Sequence, residues 1–339
     1  MSALSVGDRV SIVVSPRQRW SLAVRSLRAV VERMPAGAQL IYVDGGAPAE
    51  ISAELYGVVA EYDGRWIRRE CVLAGNEARN LAMPFVEREF IVFVDNDVLP
   101  EPDWVERLVE CADDTGAAVV GPVILHGRDD QTKQIHIAGG RVSIVDGVMV
   151  ENNHFHAYKD IDEIGPQLER GPSNQLEFHS ILLRTSFARD IAPFDEGLLT
   201  LGDHEDVTLA AEARGLGAWL EPASRVTYLT MIKLEDYEVG YWQLRWSEDW
   251  NRRSLERCAE KWGITIGEGW PVDARMWATR ERIRWYHGRG KLLSNAGKAV
   301  RAANKFVPTA WLTRGVEERV MSRRKDEEIA RRVSAGIGH

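Results

Sequence analysis

The sequence predicts an α/β domain, with a mostly parallel central sheet between layers of helix, followed by a helical extension. Three observations carry this reading. Short apolar runs alternate with helix-period segments through the N-terminal third of the chain. Two of those runs end abruptly in acid, at Val43-Asp44 and Val94-Asp95. Strand-type runs then vanish after about residue 236, where helix-spaced aromatic residues take over. The expected division is 8–235 for the sheet-bearing domain, with halves meeting near residue 125, and 236–339 for the extension.

Each element follows from its residues. Ser11-Ile12-Val13-Val14 is a short strand closed by Ser15-Pro16. Trp20, Ala23, Val24, Leu27, Val30, Val31 and Met34 recur at steps of three and four, one face of a helix that Pro35 and Gly37 stop. Leu40-Ile41-Tyr42-Val43 is a second strand, ending in Asp44-Gly45-Gly46. Gly75-Asn76-Glu77-Ala78-Arg79-Asn80 opens a further helix. Phe90-Ile91-Val92-Phe93-Val94, aromatic and β-branched throughout, is the most strand-like run and stops at Asp95-Asn96-Asp97. Asp103 is the expected N-cap of the next helix, with Trp104, Val105, Leu108 and Val109 inward. Ala117-Ala118-Val119-Val120 is the strand after it. Regularity fails over 127–173, where a β-ribbon at 140–150 and a loop with Asn152, Asn153, His154 and His156 are expected. Order returns with a strand at 176–183 and a helix at 205–214, ended by Gly215.

Hydrophobic residues at 45% and charged residues at 28% allow a sizeable core and exclude a disordered chain. Cys71, Cys111 and Cys258 lie far apart without metal or disulfide spacing, which fits a reducing, cytoplasmic setting. No apolar run reaches the ~20 residues that span a bilayer, and the N-terminus lacks a signal-peptide pattern. The net charge of −8 is unevenly spread: 280–332 hold 15 Lys and Arg against 6 Asp and Glu. A basic tail on an acidic body suggests contact with the inner membrane face or a homo-oligomer, or else a helix folded against the body. Leu292, Leu293, Val300, Phe306 and Trp311 punctuate that tail. No nucleic-acid partner is expected.

Acids at the carboxyl ends of sheet strands stand where ligands bind in open α/β folds. Asp95 and Asp97, two apart on a chain leaving a strand, can converge on a hard divalent cation, Mn2+ or Mg2+, and leave positions for phosphate oxygens. Asp-x-Asp alone is common and also reads as two helix-capping carboxylates; the strand before it and the helix after it favour the metal. Asp203-His204-Glu205-Asp206 opens a helix whose dipole welcomes acids, yet three acids and a histidine exceed what capping needs. One of them can serve as a general base. Arg79 at a helix start suits an anionic ligand or a surface ion pair. His179 either faces an acceptor or is a satisfied interior histidine. His154 and His156 read as a solvated loop ahead of a metal pair, and His126 and His136 carry no usable signal.

Taken in order, these stretches resemble the inverting family-two glycosyltransferases of the GT-A fold, a Rossmann-like architecture. The matching residues are 11–15, Val43-Asp44, Gly75 with Ala78-Arg79-Asn80, Phe93-Val94-Asp95-Asn96-Asp97, Phe194-Asp195-Glu196, and Gly202 with Glu205-Asp206, Arg214 and Gly217. Asn251 and Lys261-Trp262-Gly263 extend the likeness, which covers about residues 8–265. The resemblance implies a nucleotide-sugar half at 8–125 and an acceptor half at 126–235. It implies transfer from a nucleoside-diphosphate sugar, UDP being favoured by family frequency, to a saccharide, lipid-linked, protein or small-molecule acceptor, in one inverting in-line displacement. Asp44 would contact the base or ribose and Arg79 the nucleotide; Asp95, with Asn96, would lie by ribose and metal, and Asp97 would ligate the metal. Asp206 would be the general base, Glu205 its positioning partner, and His179 and His204 would lie on the acceptor side.

Two departures stand out. Tyr228 occupies the place of a histidine that completes the metal site in many members, which leaves water, His204 or a residue of the 150s loop as a substitute, or a metal that binds only with the nucleotide. Asp44-Gly45-Gly46 shortens the usual Asp-Asp-Gly-Ser. A nucleotidyltransferase would carry glycines after its first strand, which Ser15-Pro16-Arg17-Gln18-Arg19 lacks. An inactive sugar- or nucleotide-binding module would have no need of Asp95, Asp97, Glu205 and Asp206 together.

Overall fold

The computed structural model describes residues 4–129, 131–152, 156–230, 232–284 and 322–338. The N-terminal runs alternate as expected: β1 (Val10–Ser15), α1 (Trp20–Arg33), β2 (Gln39–Gly45), α2 (Ala49–Glu61), β3 (Arg65–Arg69), α3 (Gly75–Ala82) and β4 (Phe90–Asp95). β1 pairs in parallel with β2 and β4, and β3 extends the row beyond β2. Every residue of β1 and β4 is buried, because helices cover both faces of these strands. α1 turns Trp20, Ala23, Leu27, Val30 and Val31 into the core, while Val24 and Met34 line its margin.

Beyond β4 come β5 (Val98–Pro100), α4 (Trp104–Thr115), β6 (Val119–Gly127), β7 (Ile135–Ile137), β8 (Arg141–Val145), β9 (Val148–Asn152) and α5 (Ile161–Ile164). β10 (Gly171–Pro172), β11 (Ser180–Arg184), α6 (Thr185–Ile191), α7 (Asp203–Ala213) and β12 (Ala218–Leu229) complete the sheet domain. The strand order is β10-β12-β6-β11-β4-β1-β2-β3, with β5 on β12 and β7 on β6. β11 runs antiparallel to both β4 and β6, so the sheet is parallel in its first half and mixed in its second. The reason is the connection: parallel pairing needs a crossover of a dozen or more residues, usually a helix. The only α-helix described between β6 and β11 is the four-residue α5.

The expected ribbon is the β8-β9 hairpin, closed by Asp146-Gly147 with positive φ at both residues, the geometry that Asp-Gly favours in two-residue hairpin loops. β11 begins only at Ser180, so Leu176–His179 approaches the sheet as non-strand chain, later than the apolar pattern suggests. Asp103 does precede α4, but in a left-handed conformation and without a capping hydrogen bond.

The extension holds α8 (Val239–Arg245), α9 (Glu248–Trp262), α10 (Trp270–Arg284) and α11 (Ser322–Ser334). Tyr241, Trp242, Leu244, Trp246, Trp250, Leu255 and Cys258 are buried, which accounts for the aromatic helix-spaced pattern. Ser247 caps α9 by accepting from the Trp250 amide at 3.2 Å, and left-handed Gly263 ends it. α11 packs back against α8. The three thiols are free and buried. No described helix is long and apolar enough to cross a membrane. His154 and the tail residues Leu292, Leu293, Val300, Phe306 and Trp311, on which the metal-loop and membrane expectations fall, lie outside the described residues.

Candidate active site

β4 delivers Asp95 to the carboxyl edge of the sheet, and the chain leaving it is pinned on two sides. Asn96 Oδ1 accepts from the Arg17 amide at 2.9 Å, and the Asn96 amide donates to Ser15 O at 3.1 Å. The Leu229 amide, at the end of β12, donates to Asp97 O at 2.9 Å. Antiparallel pairing then sets His179 beside the acids. The Asp95 amide donates to His179 O, and His179 Nδ1 lies 3.1 Å from Asp95 Oδ2. Arg17, from the end of β1, places Nε 2.9 Å from the same carboxylate oxygen.

This leaves three carboxylate oxygens over. Asp95 Oδ1, Asp97 Oδ1 and Asp97 Oδ2 are buried and without a hydrogen-bond partner. Burial, and next to it the charge of Asp95, push the Asp97 carboxyl up to about 6. Burial would raise Asp95 too, but Arg17 and His179 outweigh it and hold that group below its usual value. Unpartnered buried carboxylate oxygens are costly, and a hard divalent ion satisfies such a set. Asp95, Asp97 and His179 present ligand atoms within 4.8 Å of one another, and so do His136, Glu177 and His179. Tyr228 does not enter either group; it stacks on the His179 ring at 3.9 Å between centroids.

The first turn of α7 is tied to this edge through Arg17, whose Nη2 lies 4.0 Å from Asp203 Oδ2. Arg79 donates to that same oxygen at 2.8 Å and to Asn76 Oδ1 at 2.7 Å, and its guanidinium lies over the Phe178 ring. His204 sits between Asp203 Oδ1 at 3.3 Å and Glu205 Oε1 at 3.0 Å. Burial alone would lower the His204 imidazolium, but Glu205 and Asp203 outweigh it and hold it well above its usual value. Glu205 Oε2 is buried without a partner. Asp206 points elsewhere: Lys261 Nζ donates to one of its oxygens at 2.8 Å and Trp262 Nε1 to the other at 2.9 Å.

Asp44 stands at the carboxyl end of β2. It accepts from the Ala47 amide at 2.9 Å and Ser52 Oγ at 2.7 Å, and it is ion-paired with Arg68. Of the residues singled out in the sequence, Asp95, Asn96, Asp97 and His179 therefore meet at one edge, with His204 and Glu205 linked to them through Arg17 and Asp203. Asp44, Arg79 and Asp206 are each engaged by protein partners. Sequence reasoning passed over Arg17, His136 and Glu177. Arg17 had a signal, since it follows the end of a strand adjacent to β4; His136 and Glu177 had none, because β7 and the approach to β11 meet only in the folded sheet.

A sheet of this order with an acid pair at its carboxyl edge defines a GT-A fold. A crystal structure of GalNAc-T7 with UDP, GalNAc and Mn2+ aligns with a TM-score of 0.51 at 14% identity, over 83% of this chain and 56% of the other. Residues 11–164 match the family model described as Glycosyl transferase family 2. Two curated relatives, the pre-mycofactocin glycosyltransferases of Mycobacterium tuberculosis strains CDC 1551 / Oshkosh and ATCC 25618 / H37Rv, are each 26% identical over 233 residues. Those alignments take in 67% of this chain and 44% of each relative, so the chain spans less than half their length.

Proposed function

We propose that the protein transfers a sugar from a nucleoside-diphosphate sugar to an acceptor hydroxyl, with a divalent cation held by Asp95 and Asp97. The observation that carries this reading is the set of three buried, unpartnered oxygens on Asp95 and Asp97. A bound Mn2+ or Mg2+ would neutralise charge building on the diphosphate leaving group. Arg17 fixes one face of Asp95, so its free oxygen and those of Asp97 stay turned to the ion. Arg79 acts on the same site by holding Asp203, and Asp44 with Arg68 lies one strand over from β1, where the nucleoside would sit.

Proton acceptance falls to the first turn of α7. Asp206, the second acid of the pair, has both oxygens occupied by Lys261 and Trp262, so neither is free to meet an incoming hydroxyl. Glu205 keeps Oε2 unoccupied and is the base, while Asp206 locks α7 to α9. The displacement would be in line and inverting, with base and leaving group on opposite faces of the sugar. UDP with Mn2+ is the first pair to test, since the fold relative was crystallised with both. The free buried thiols suit a cytoplasmic setting.

The test is calorimetry of a panel of nucleotide sugars with and without Mn2+, on wild type and Asp97→Asn. Mn2+-dependent binding of one donor in wild type, lost in the variant, is expected. Equal binding by the two proteins would refute the assignment.

A further inference from the structure

We infer that His136, Glu177 and His179 form a second cation site, of the two-histidine, one-carboxylate type that takes Zn2+ or Co2+. The inference goes beyond the proposed sugar transfer and rests on that reading only in sharing Asp95. Asp95 Oδ2 is an acceptor 3.1 Å from His179 Nδ1, and Arg17 Nε lies 2.9 Å from the same oxygen, which keeps it a carboxylate. Asp95 therefore engages Nδ1 and leaves Nε2 turned the other way as the ring's ligand atom.

Nε2 of His179 lies 3.4 Å from Glu177 Oε2, and His136 Nε2 lies 3.2 Å from the same oxygen. The three ligand atoms fall within 4.8 Å of one another. A tetrahedral ion bonded at ~2.0–2.1 Å spaces its ligand atoms roughly 3.3 Å apart, close to both distances. The ligand set, two imidazoles and one carboxylate, suits borderline ions better than Mg2+. The side chains keep 18%, 13% and 13% exposure, enough for water in a fourth position.

Asp95 is then the orienting carboxylate behind a metal-bound histidine, an arrangement that fixes ring and tautomer together. Tyr228 stacks on the face of the same ring. The ion would tie β7, through His136, to the entry of β11 and the end of β4.

The experiment titrates the metal-stripped full chain with Co2+ and reads the visible spectrum and the melting temperature with Zn2+. Wild type and Asp97→Asn should both show the bands of tetrahedral, nitrogen-ligated cobalt. His136→Ala and the shape-conserving Glu177→Gln should lose them, with Co2+ affinity falling by more than the roughly 10–100-fold that outer-shell partners are worth. Zn2+ should raise the melting temperature more in the first two proteins than in His136→Ala and Glu177→Gln. No such bands in wild type, or bands that persist in Glu177→Gln, would overturn the site and leave His179 an imidazolium paired with Glu177. Mn2+-dependent UDP binding, measured on the same wild type, reports separately on the sugar-transfer reading.

Discussion

Arg332, in the last helix, grips Glu77 across 255 residues of chain, with Nη1 2.8 Å from Oε2 and Nη2 2.7 Å from Oε1. The guanidinium is almost fully buried, also donates to Val72 O at 3.0 Å, and lies over the Trp250 ring. Glu77 in turn accepts from the Ala74 amide at the start of α3, the helix that carries Arg79 to Asp203. One end of the basic tail is thus built into the support of the candidate site, not laid on the surface.

Removing Arg332 should therefore destabilise the body. Arg332→Ala leaves a buried carboxylate without its partner, a loss of about 3–5 kcal/mol. Urea or thermal unfolding reads it directly, and deletion of the segment from residue 322 onward should act in the same direction. An unchanged midpoint in Arg332→Ala would mean that Glu77 finds water or another cation instead.

The α7 acids separate by substitution. Glu205→Gln should lower turnover by ~10²–10⁴, the usual worth of a general base, with donor affinity nearly kept. Asp206→Asn should instead lower the melting temperature by weakening the contact with Lys261 and Trp262, and reduce turnover less. The reverse ranking in steady-state kinetics would return the base to Asp206.

Arg17 ties Asp95 to Asp203, so its removal exposes the repulsion it offsets. Arg17→Met should destabilise the metal-free protein by about 3 kcal/mol, as loss of one member of a buried charge set does. Mn2+ should then raise the melting temperature more in the variant than in wild type, because the cation takes over part of the neutralisation. A smaller Mn2+ shift in the variant would count against a cation at Asp95 and Asp97.

What the sequence made legible follows from what each feature depends on. β1, β2 and β4 were readable because apolar, β-branched runs specify buried strands locally, and Asp95 and Asp97 because an acid at a strand end needs only that strand to be placed. The direction of β11 was not, since it depends on how the chain returns through 127–179. His179 fell with it: its place beside Asp95 is set by the pairing of Ser180 with Val94, a register no local pattern encodes. Tyr228 read as a gap in a metal site and proves to be the ring stacked on His179. The pairing of Glu77 with Arg332 joins two helices whose sequences each look complete alone.

Glu151, on β9, interacts electrostatically with Glu205 and His204 of α7 and gives the protein a signed pH dependence. Burial first, then the charge of Glu205, push its carboxyl up to about 8; His204 opposes this, and Glu177 and Asp273 add to it. A group raised in the folded state contributes stability below its unfolded value, near 4.5, and that contribution is lost as pH rises through about 8. His204, itself raised, loses its imidazolium on the same upward path and works in the same direction. Wild type should therefore melt lower at about pH 9 than at about pH 6, and Glu151→Gln should flatten the part of that decline due to the carboxyl while leaving the His204 part. Calorimetric scans of both proteins across that range decide it: parallel curves would show that Glu151 is already ionised and solvated.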